Sequence, residues 1–308
     1  MEQLKVCFIG IGSIAKRHIR NFRQICRERG ISVTVDAYRR EYKETEGVDT
    51  IYTNCDDMPS DYDIVFITNP TSKHLQTLKQ FHEKGRHFFI EKPVVLPEQI
   101  TEAESLELRA GSVYYVAAPL RYNAVIRWVK ENIDKDEVLS VRSISSSYLP
   151  DWRPGQDYRE TYSAHKDLGG GVSIDLIHEW DYLTHLFGWP DKVFSIIGKK
   201  SGLEIDSDDY AIYIADFPTM IAELHLDYFG QKTIREIQLF TTEDTITGDI
   251  VNGSISFLKS GRTIKLEDER DAYQKRELEH FLDLAEGKMP SDNSYSHGLK
   301  VLKLTQGV

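Results

Sequence analysis

Leu4-Lys5-Val6-Cys7-Phe8-Ile9-Gly10-Ile11-Gly12-Ser13-Ile14-Ala15 is the stretch on which the fold turns. Residues 4–9 are apolar apart from one lysine and read as a buried strand. Residues 13–29 carry helical periodicity and stop at Gly30. A glycine at 10 permits a tight turn, and a glycine at 12 lets the backbone approach a pyrophosphate. The third position needs only a small residue for helix–strand packing, which Ala15 supplies. The helix start at Ser13 and Ile14 would offer free N–H groups and the positive end of a helix dipole. Strand, glycine turn and helix together point to dinucleotide binding at Gly10, Gly12, Ser13 and Ile14. The competing reading is an ordinary βα turn.

Outward from this turn the chain keeps alternating. Strands are expected at 33–37, 64–68, 87–90 and 113–117. Helices are expected from the residues after 68 through Lys84, with Gly85 as the stop, and over 97–109. Such alternation implies βαβ units and a doubly wound parallel sheet covered on both faces, an α/β domain over 1–118. The rhythm changes near Leu120. A helix over 125–130 leads to a strand over 139–148. A loop rich in Pro, Arg, Trp and Tyr fills 150–167. Gly169-Gly170-Gly171 then opens one long helical segment to Phe187. Strand-like runs follow at 193–197, 210–217, 221–228 and 233–241, with shorter pieces to 266, separated by turn signals such as Asn252-Gly253. They read as an open antiparallel meander with one covered face, in an α+β domain over 119–290. A helix is expected over 271–284. The segment 291–308, with a helix over 298–305, is expected to pack back on the first domain.

Composition narrows the function. Of 308 residues, 40% are hydrophobic, 11% aromatic and 28% charged, which suits a folded chain of about two domains. The net charge of −11 argues against nucleic acid or an anionic membrane as partner. The acidity is uneven: residues 1–118 hold 16 Lys and Arg against 17 Asp and Glu, and residues 119–308 hold 22 against 32. The expected dinucleotide-binding half is therefore near neutral. No apolar run approaches the roughly 20 residues of a membrane span, and the first ten residues, too soon interrupted by glycine, are not expected to act as a secretory signal. Cys7, Cys26 and Cys55 are odd in number and form no CxxC pair, which suggests buried thiols in a reducing cytoplasm. No zinc-type spacing is present, so no metal is expected.

Which dinucleotide binds depends on the end of the second strand, Val35-Asp36-Ala37-Tyr38-Arg39-Arg40. If the strand ends at Asp36, that acid can hold the ribose hydroxyls of NAD. The alternation Val33, Val35, Ala37 instead carries the strand further and puts Arg39 and Arg40 at its exit, where they can pair with the 2′-phosphate of NADP. NADP is the favoured reading, with NAD open.

Three further stretches carry a family resemblance: Asn69-Pro70-Thr71-Ser72-Lys73-His74, Glu91-Lys92-Pro93, and Gly169-Gly170-Gly171 ahead of Asp175-Leu176-Ile177-His178-Glu179-Trp180-Asp181. With the glycine turn, they resemble the glucose–fructose oxidoreductase / inositol dehydrogenase / rhizopine catabolism (Gfo/Idh/MocA) family over residues 5–304. The resemblance implies a Rossmann domain followed by a domain whose open sheet makes a homodimer or homotetramer. It implies hydride transfer between nicotinamide and a secondary alcohol or ketone of a sugar-like substrate. It places Asn69, Pro70, Thr71, His74, Glu91 and Lys92 at the cofactor, Lys92 also beside the substrate, and His178 as the proton carrier. The family places an aspartate four residues before that histidine. Asp175 precedes His178 by three, so either Asp175 or Glu179 is its partner, and Asp181 is a cap or a structural pair.

The residue types suit the reaction. Histidine titrates near neutrality and serves both directions. A lysine ammonium beside the reacting oxygen stabilises developing negative charge. On the substrate side, Trp152, Arg153, Tyr158, Arg159 and Tyr162 supply ring faces for stacking and guanidinium forks for an anion. This loop with the His178 helix is similar to a branch of the family found with bacterial surface-sugar biosynthesis, and a sugar acid or nucleotide sugar would use Arg153 or Arg159. Arg121 and Asn123 match the family's R-x-N segment and either line the substrate cleft or cap the helix near Val125. A non-catalytic dinucleotide or sugar sensor, and a glycoside-cleaving enzyme with tightly held NAD, are the alternatives.

Overall fold

The computed structural model describes residues 2–269 and 271–307. The opening stretch forms β1 (Gln3–Ile9), the glycine turn and α1 (Ser13–Glu28). Next come β2 (Ser32–Tyr38), β3 (Thr50–Tyr52), β4 (Tyr62–Ile67), α2 (His74–Phe81), β5 (Gly85–Ile90), α3 (Ile100–Glu104) and β6 (Tyr114–Val116). Beyond them lie α4 (Ala124–Asn132), β7 (Val138–Tyr148), α5 (Val172–Asp175), α6 (His178–Phe187), β8 (Lys192–Gly198) and β9 (Tyr210–Asp216). The chain continues through β10 (Ile221–Asp227), β11 (Phe229–Thr241), β12 (Thr245–Asp249), β13 (Ser254–Phe257), β14 (Thr263–Lys265), α7 (Ala272–Ala285) and α8 (Tyr295–Thr305).

Two compact units divide these elements: Met1–Ala117 with Gln274–Lys300, and Ala118–Tyr273 with Val301–Val308. The sequence reading carried the second domain to 290. Most of α7 belongs to the first unit because it adds Leu278, Phe281, Leu282 and Leu284 to that unit's core.

The first unit is a six-stranded sheet in the order β3-β2-β1-β4-β5-β6. Every pairing is parallel. Strand order reverses between β1 and β4, and in open parallel sheets the crevice beyond the carboxyl ends at such a point is where ligands bind. Phe8 and Phe66 stack at 4.2 Å between ring centres on adjacent β1 and β4. Phe281 meets Phe66 and Phe89 edge-on from α7. Two local expectations change. Gly85 does not stop a helix but opens β5, where a β-carbon would lie 2.5 Å from Val65 Cγ2. α2 ends at Phe81, and α3 ends at Glu104 instead of reaching 109, since exposed Leu108 finds nothing to bury it.

The second unit is an eight-stranded sheet in the order β14-β13-β12-β11-β7-β10-β9-β8. It is mainly antiparallel, but β7 and β10 are parallel, which corrects the meander expectation. The chain leaves β7, runs through α5 and α6, and re-enters at edge strand β8, so it returns to the side of β7 already pointing the same way. One face is covered by α6: Trp180 meets Tyr213 edge-on at 5.2 Å, and the Tyr182 hydroxyl lies 2.6 Å from Ser143 Oγ. The other face is open. Along β9, Ala211, Tyr213 and Ala215 are buried while Ile212 and Ile214 are exposed, and Phe194 and Ile196 of β8 lie beside them. The segment expected as one long helix is two, interrupted at Leu176–Ile177. Among the described residues no helix is long and apolar enough to cross a membrane, and no group of three His, Cys, Asp or Glu side chains could hold a metal ion. The three cysteines are buried, and burial pushes the Cys26 thiol up to about 11.

Candidate functional site

The glycine turn is built for close approach. Gly10 has φ +85°, and a β-carbon there would lie 2.7 Å from Asn69 Cα and Cβ. The chain end of β4 is drawn against this turn, with Thr68 Oγ1 donating to the Gly10 carbonyl at 2.8 Å. At Gly12 a β-carbon would meet no protein atom within 4 Å. Gly12 caps the 16-residue α1 without any side-chain hydrogen bond. The first N–H groups of α1 therefore have no side-chain acceptor, beside exposed Gly12 and Ser13 and half-buried Ile14. The buried Asn69 Oδ1 also has no hydrogen-bond partner. An open space and an uncapped helix start fit the pyrophosphate of a dinucleotide, and the orphaned Asn69 oxygen, an acceptor, fits a donor such as a ribose hydroxyl.

The end of β2 is equally defined. β2 runs through Tyr38, past Asp36. Asp36 is buried and accepts the Tyr62 hydroxyl at 2.9 Å, so its carboxylate is occupied inside the sheet. Arg39 and Arg40 stand at the strand exit. Arg40 is exposed, and Arg39 is half-buried with Nη1 3.3 Å from the Lys43 carbonyl.

The loops after β4 and β5 are pinned together by His74. Its ring is buried, with Nε2 2.9 Å from the Asn69 carbonyl and Nδ1 3.1 Å from the Pro93 carbonyl. Burial pushes its pKa down, against the opposing pull of those carbonyls and Glu91. Pro70 is exposed, and half-buried Thr71 opens the short turn into α2. Lys92 is half-buried, and the Lys92–Pro93 bond is cis. The Glu91 carboxylate, expected at the cofactor, lies against α1, where Oε1 is 2.6 Å from His18 Nε2. Burial works to raise the Glu91 pKa, but the His18 hydrogen bond and the charges of His18, Lys92 and His74 hold it below the ordinary value.

In the second unit Asp175 is the hub. The Tyr228 hydroxyl donates to Asp175 Oδ2 at 2.6 Å, and Tyr162 also bonds it. The Asp175 charge, with burial, pushes Tyr162 far above its ordinary pKa, so that phenol is a fixed donor. Arg153 lies over the Tyr162 ring at 5.2 Å. Trp152 donates its indole N–H to Ser147 and meets Tyr228 edge-on. His178 is half-buried at the first position of α6, beyond the interruption, so it and Asp175 do not share one continuous helix face.

Several neighbouring charges are committed elsewhere. Glu179 is fully buried in a two-point pair with Arg235, at 2.6 and 3.1 Å. Arg121 is buried in a two-point pair with Asp181, at 2.8 and 2.7 Å. Asn123 caps α4 by accepting the Val125 N–H at 2.9 Å. Arg159 is exposed and paired with Asp157 and Glu204. The Tyr158 hydroxyl accepts the Glu204 N–H at 3.1 Å. Among the described residues Arg153 has no carboxylate at ion-pair distance. Sequence reasoning missed His18, Tyr228 and Arg235. The signal for His18 was present as a polar residue, with Asn21 one of two, on the buried stripe of α1 that also carries Ala15, Ile19 and Phe22.

Arg121→Met leaves a buried Asp181 charge without its partner and should cost about 3–5 kcal/mol in denaturant unfolding, whereas Arg121→Met with Asp181→Leu should recover most of it. Unchanged stability with a raised KM would return Arg121 to the substrate. Because the folded Glu91 pKa is depressed, its carboxylate contributes stability that is complete above the unfolded value and is lost as pH falls through the folded one. Melting temperature should therefore drop more steeply below about pH 4.5 in the native protein than in Glu91→Gln. Parallel curves would contradict this.

The family model described as an oxidoreductase family with an NAD-binding Rossmann fold matches residues 4–118, and the GFO/IDH/MocA C-terminal domain matches residues 126–247. The chain is 25% identical over 208 residues to YrbE, an uncharacterized oxidoreductase of Bacillus subtilis; the match covers 66% of this chain but only 58% of that protein. Its structure resembles that of UDP-N-acetylglucosamine 3-dehydrogenase GnnA from Acidithiobacillus ferrooxidans, with 19% identity, a TM-score of 0.76, and coverage of 99% of this chain and 96% of that one. It also resembles levoglucosan dehydrogenase in complex with NADH, with 16% identity, a TM-score of 0.83, and the same coverage of 99% and 96%. A parallel sheet with a glycine-turn cofactor edge, followed by the matching second domain, places this chain in the Gfo/Idh/MocA family of oxidoreductases.

Proposed function

We propose that this protein is an NAD(P)-dependent oxidoreductase acting on a secondary alcohol or ketone of a sugar, sugar acid or nucleotide sugar. The observation that carries the reading is the Gly10–Gly12 turn, which opens on an uncapped helix start and is tied to the loop bearing Lys92 through Asn69 and His74. The relatives point the same way, since they are named an oxidoreductase and two dehydrogenases of sugar-like compounds.

A bound nicotinamide supplies a carbon that accepts or returns a hydride. This chain's residues handle the proton and the charge. In oxidation, His178 takes the hydroxyl proton as hydride leaves the same carbon, and a ketone results. In reduction, His178 returns that proton to the oxygen. The Lys92 ammonium stabilises negative charge building on that oxygen. Asp175, held by two tyrosine hydroxyls, provides a fixed negative charge near the start of the His178 helix. Arg153, stacked on Tyr162 and without an ion pair, supports an anionic substrate group; the commitments of Arg121 and Arg159 leave it the open guanidinium of this region. Occupation of Asp36 by Tyr62 and the arginines at the β2 exit support NADP over NAD. The apolar rows Phe194, Ile196, Ile212 and Ile214 support a homodimer or homotetramer through the open sheet.

A panel of sugars, sugar acids and nucleotide sugars, followed at the nicotinamide absorbance band, tests the activity. Lys92→Met and His178→Asn should each lower kcat by about 100-fold or more on the best substrate. Full turnover by either variant would remove that residue's role. Cofactor binding without turnover across the panel would favour the non-catalytic sensor, and cofactor retained through purification with glycoside cleavage but no net reduction would favour the third reading. Arg39→Ala should weaken NADPH binding about tenfold or more and leave NADH binding unchanged, consistent with loss of a charged hydrogen bond. Tighter binding of NADH by the native protein would overturn the NADP assignment.

A further inference from the structure

We propose that the pair formed by buried His18 and half-buried Glu91 is a positioning device for Lys92, fixing the backbone from which its side chain departs to the helix that starts at the dinucleotide turn. The inference rests on the reading of Lys92 given above.

The geometry is specific. His18 lies on the buried face of α1 and is 1% exposed. Its ring packs edge-on against Phe89 of β5, 5.1 Å between ring centres, and also lies near Phe66. Phe89 is two residues from Glu91, so the ring is held by the same strand that delivers its partner. Glu91 uses both carboxylate oxygens. Oε1 lies 2.6 Å from His18 Nε2, and Oε2 accepts the backbone N–H of Lys92 at 3.3 Å. One carboxylate thus bridges α1 and the main chain of Lys92. On the far side of the loop, His74 holds the Pro93 carbonyl. The Lys92 backbone lies between these two anchors.

Stability alone is a poor explanation for this pair. The His18 ring lies against Phe66 and Phe89, where an apolar side chain would pack without desolvating a polar group. His18 Nδ1 is buried with no hydrogen-bond partner, a further cost. Replacing a buried ionic pair with apolar residues of similar size is often neutral or stabilising. What apolar residues cannot reproduce is the directed contact to the Lys92 N–H. A misplacement of about 1 Å at a reacting group can cost roughly 100-fold in rate.

The test uses the full chain with its best substrate. The pair replacement His18→Met with Glu91→Met avoids leaving a lone buried charge, so it keeps the experiment readable even if His18→Met alone does not fold. The expected result is a melting temperature equal to or above the native value, an NADPH dissociation constant within about twofold, and kcat lowered roughly 10- to 100-fold. His18→Gln, which keeps a donor near the Nε2 position, should restore kcat to within about threefold. Adding Lys92→Met to the pair replacement should lower kcat no further than Lys92→Met alone, because both remove the same contribution. Native kcat in the pair replacement alongside a crippled Lys92→Met would overturn the positioning role and leave the Lys92 assignment standing. Additive losses, or cofactor binding lost in parallel with kcat, would assign the pair a purely structural role. Native turnover in Lys92→Met would overturn both readings together.

Discussion

The first unit depends on one close approach. Gly10 and Asn69 come so near that a β-carbon on the turn would overlap the neighbouring main chain. That contact exists because β1 and β4 are adjacent and parallel, and it brings three chain segments to one edge of the sheet. The start of α1, the loop after β4 and the loop after β5 all leave the carboxyl ends of neighbouring strands. The strand-order reversal between β1 and β4 makes this the natural ligand edge. Hydrogen bonds from Thr68, His74 and His18 then cross-link the three segments, so that Lys92 is attached to the same framework as the start of α1.

The second unit separates its charges into two groups. Glu179 with Arg235, and Asp181 with Arg121, are buried two-point pairs that hold α6 to the sheet and to the segment before α4. Their geometry uses up both guanidiniums. Asp175 instead accepts the hydroxyls of Tyr228 and Tyr162. Arg153, stacked on one of those tyrosines, adds a guanidinium of opposite sign beside it.

Local patterns made much of this visible in the sequence. The glycine turn, the alternation of strands and helices and the open sheet follow from periodicity or from turn chemistry within a few residues, and the Glu91-Lys92-Pro93 loop was marked by the family resemblance. What lay hidden is long-range. The pairing of Arg121 with Asp181 spans 60 positions, and that of Glu179 with Arg235 spans 56. No local pattern joins the partners, so Arg121 read as lining the cleft or capping the helix near Val125, and Asp181 as a cap or a structural pair with no partner named. The parallel pairing of β7 with β10 depends on where the chain returns after two helices and two strands. The break at Leu176–Ile177 has neither Gly nor Pro to announce it. Asp36 illustrates the limit most clearly: its position along β2 was legible, but Tyr62, which occupies it, comes from β4.

The central claim is that the Gly10–Gly12 turn and the Lys92 loop form one cofactor-binding edge. A crystal structure of the NADPH complex tests it most directly. The pyrophosphate is predicted against the N–H groups of Gly12 and Ser13, the 2′-phosphate at Arg39 or Arg40, and the nicotinamide beside Lys92. A pyrophosphate bound away from that helix start, or a nicotinamide that leaves Lys92 untouched, would contradict the account.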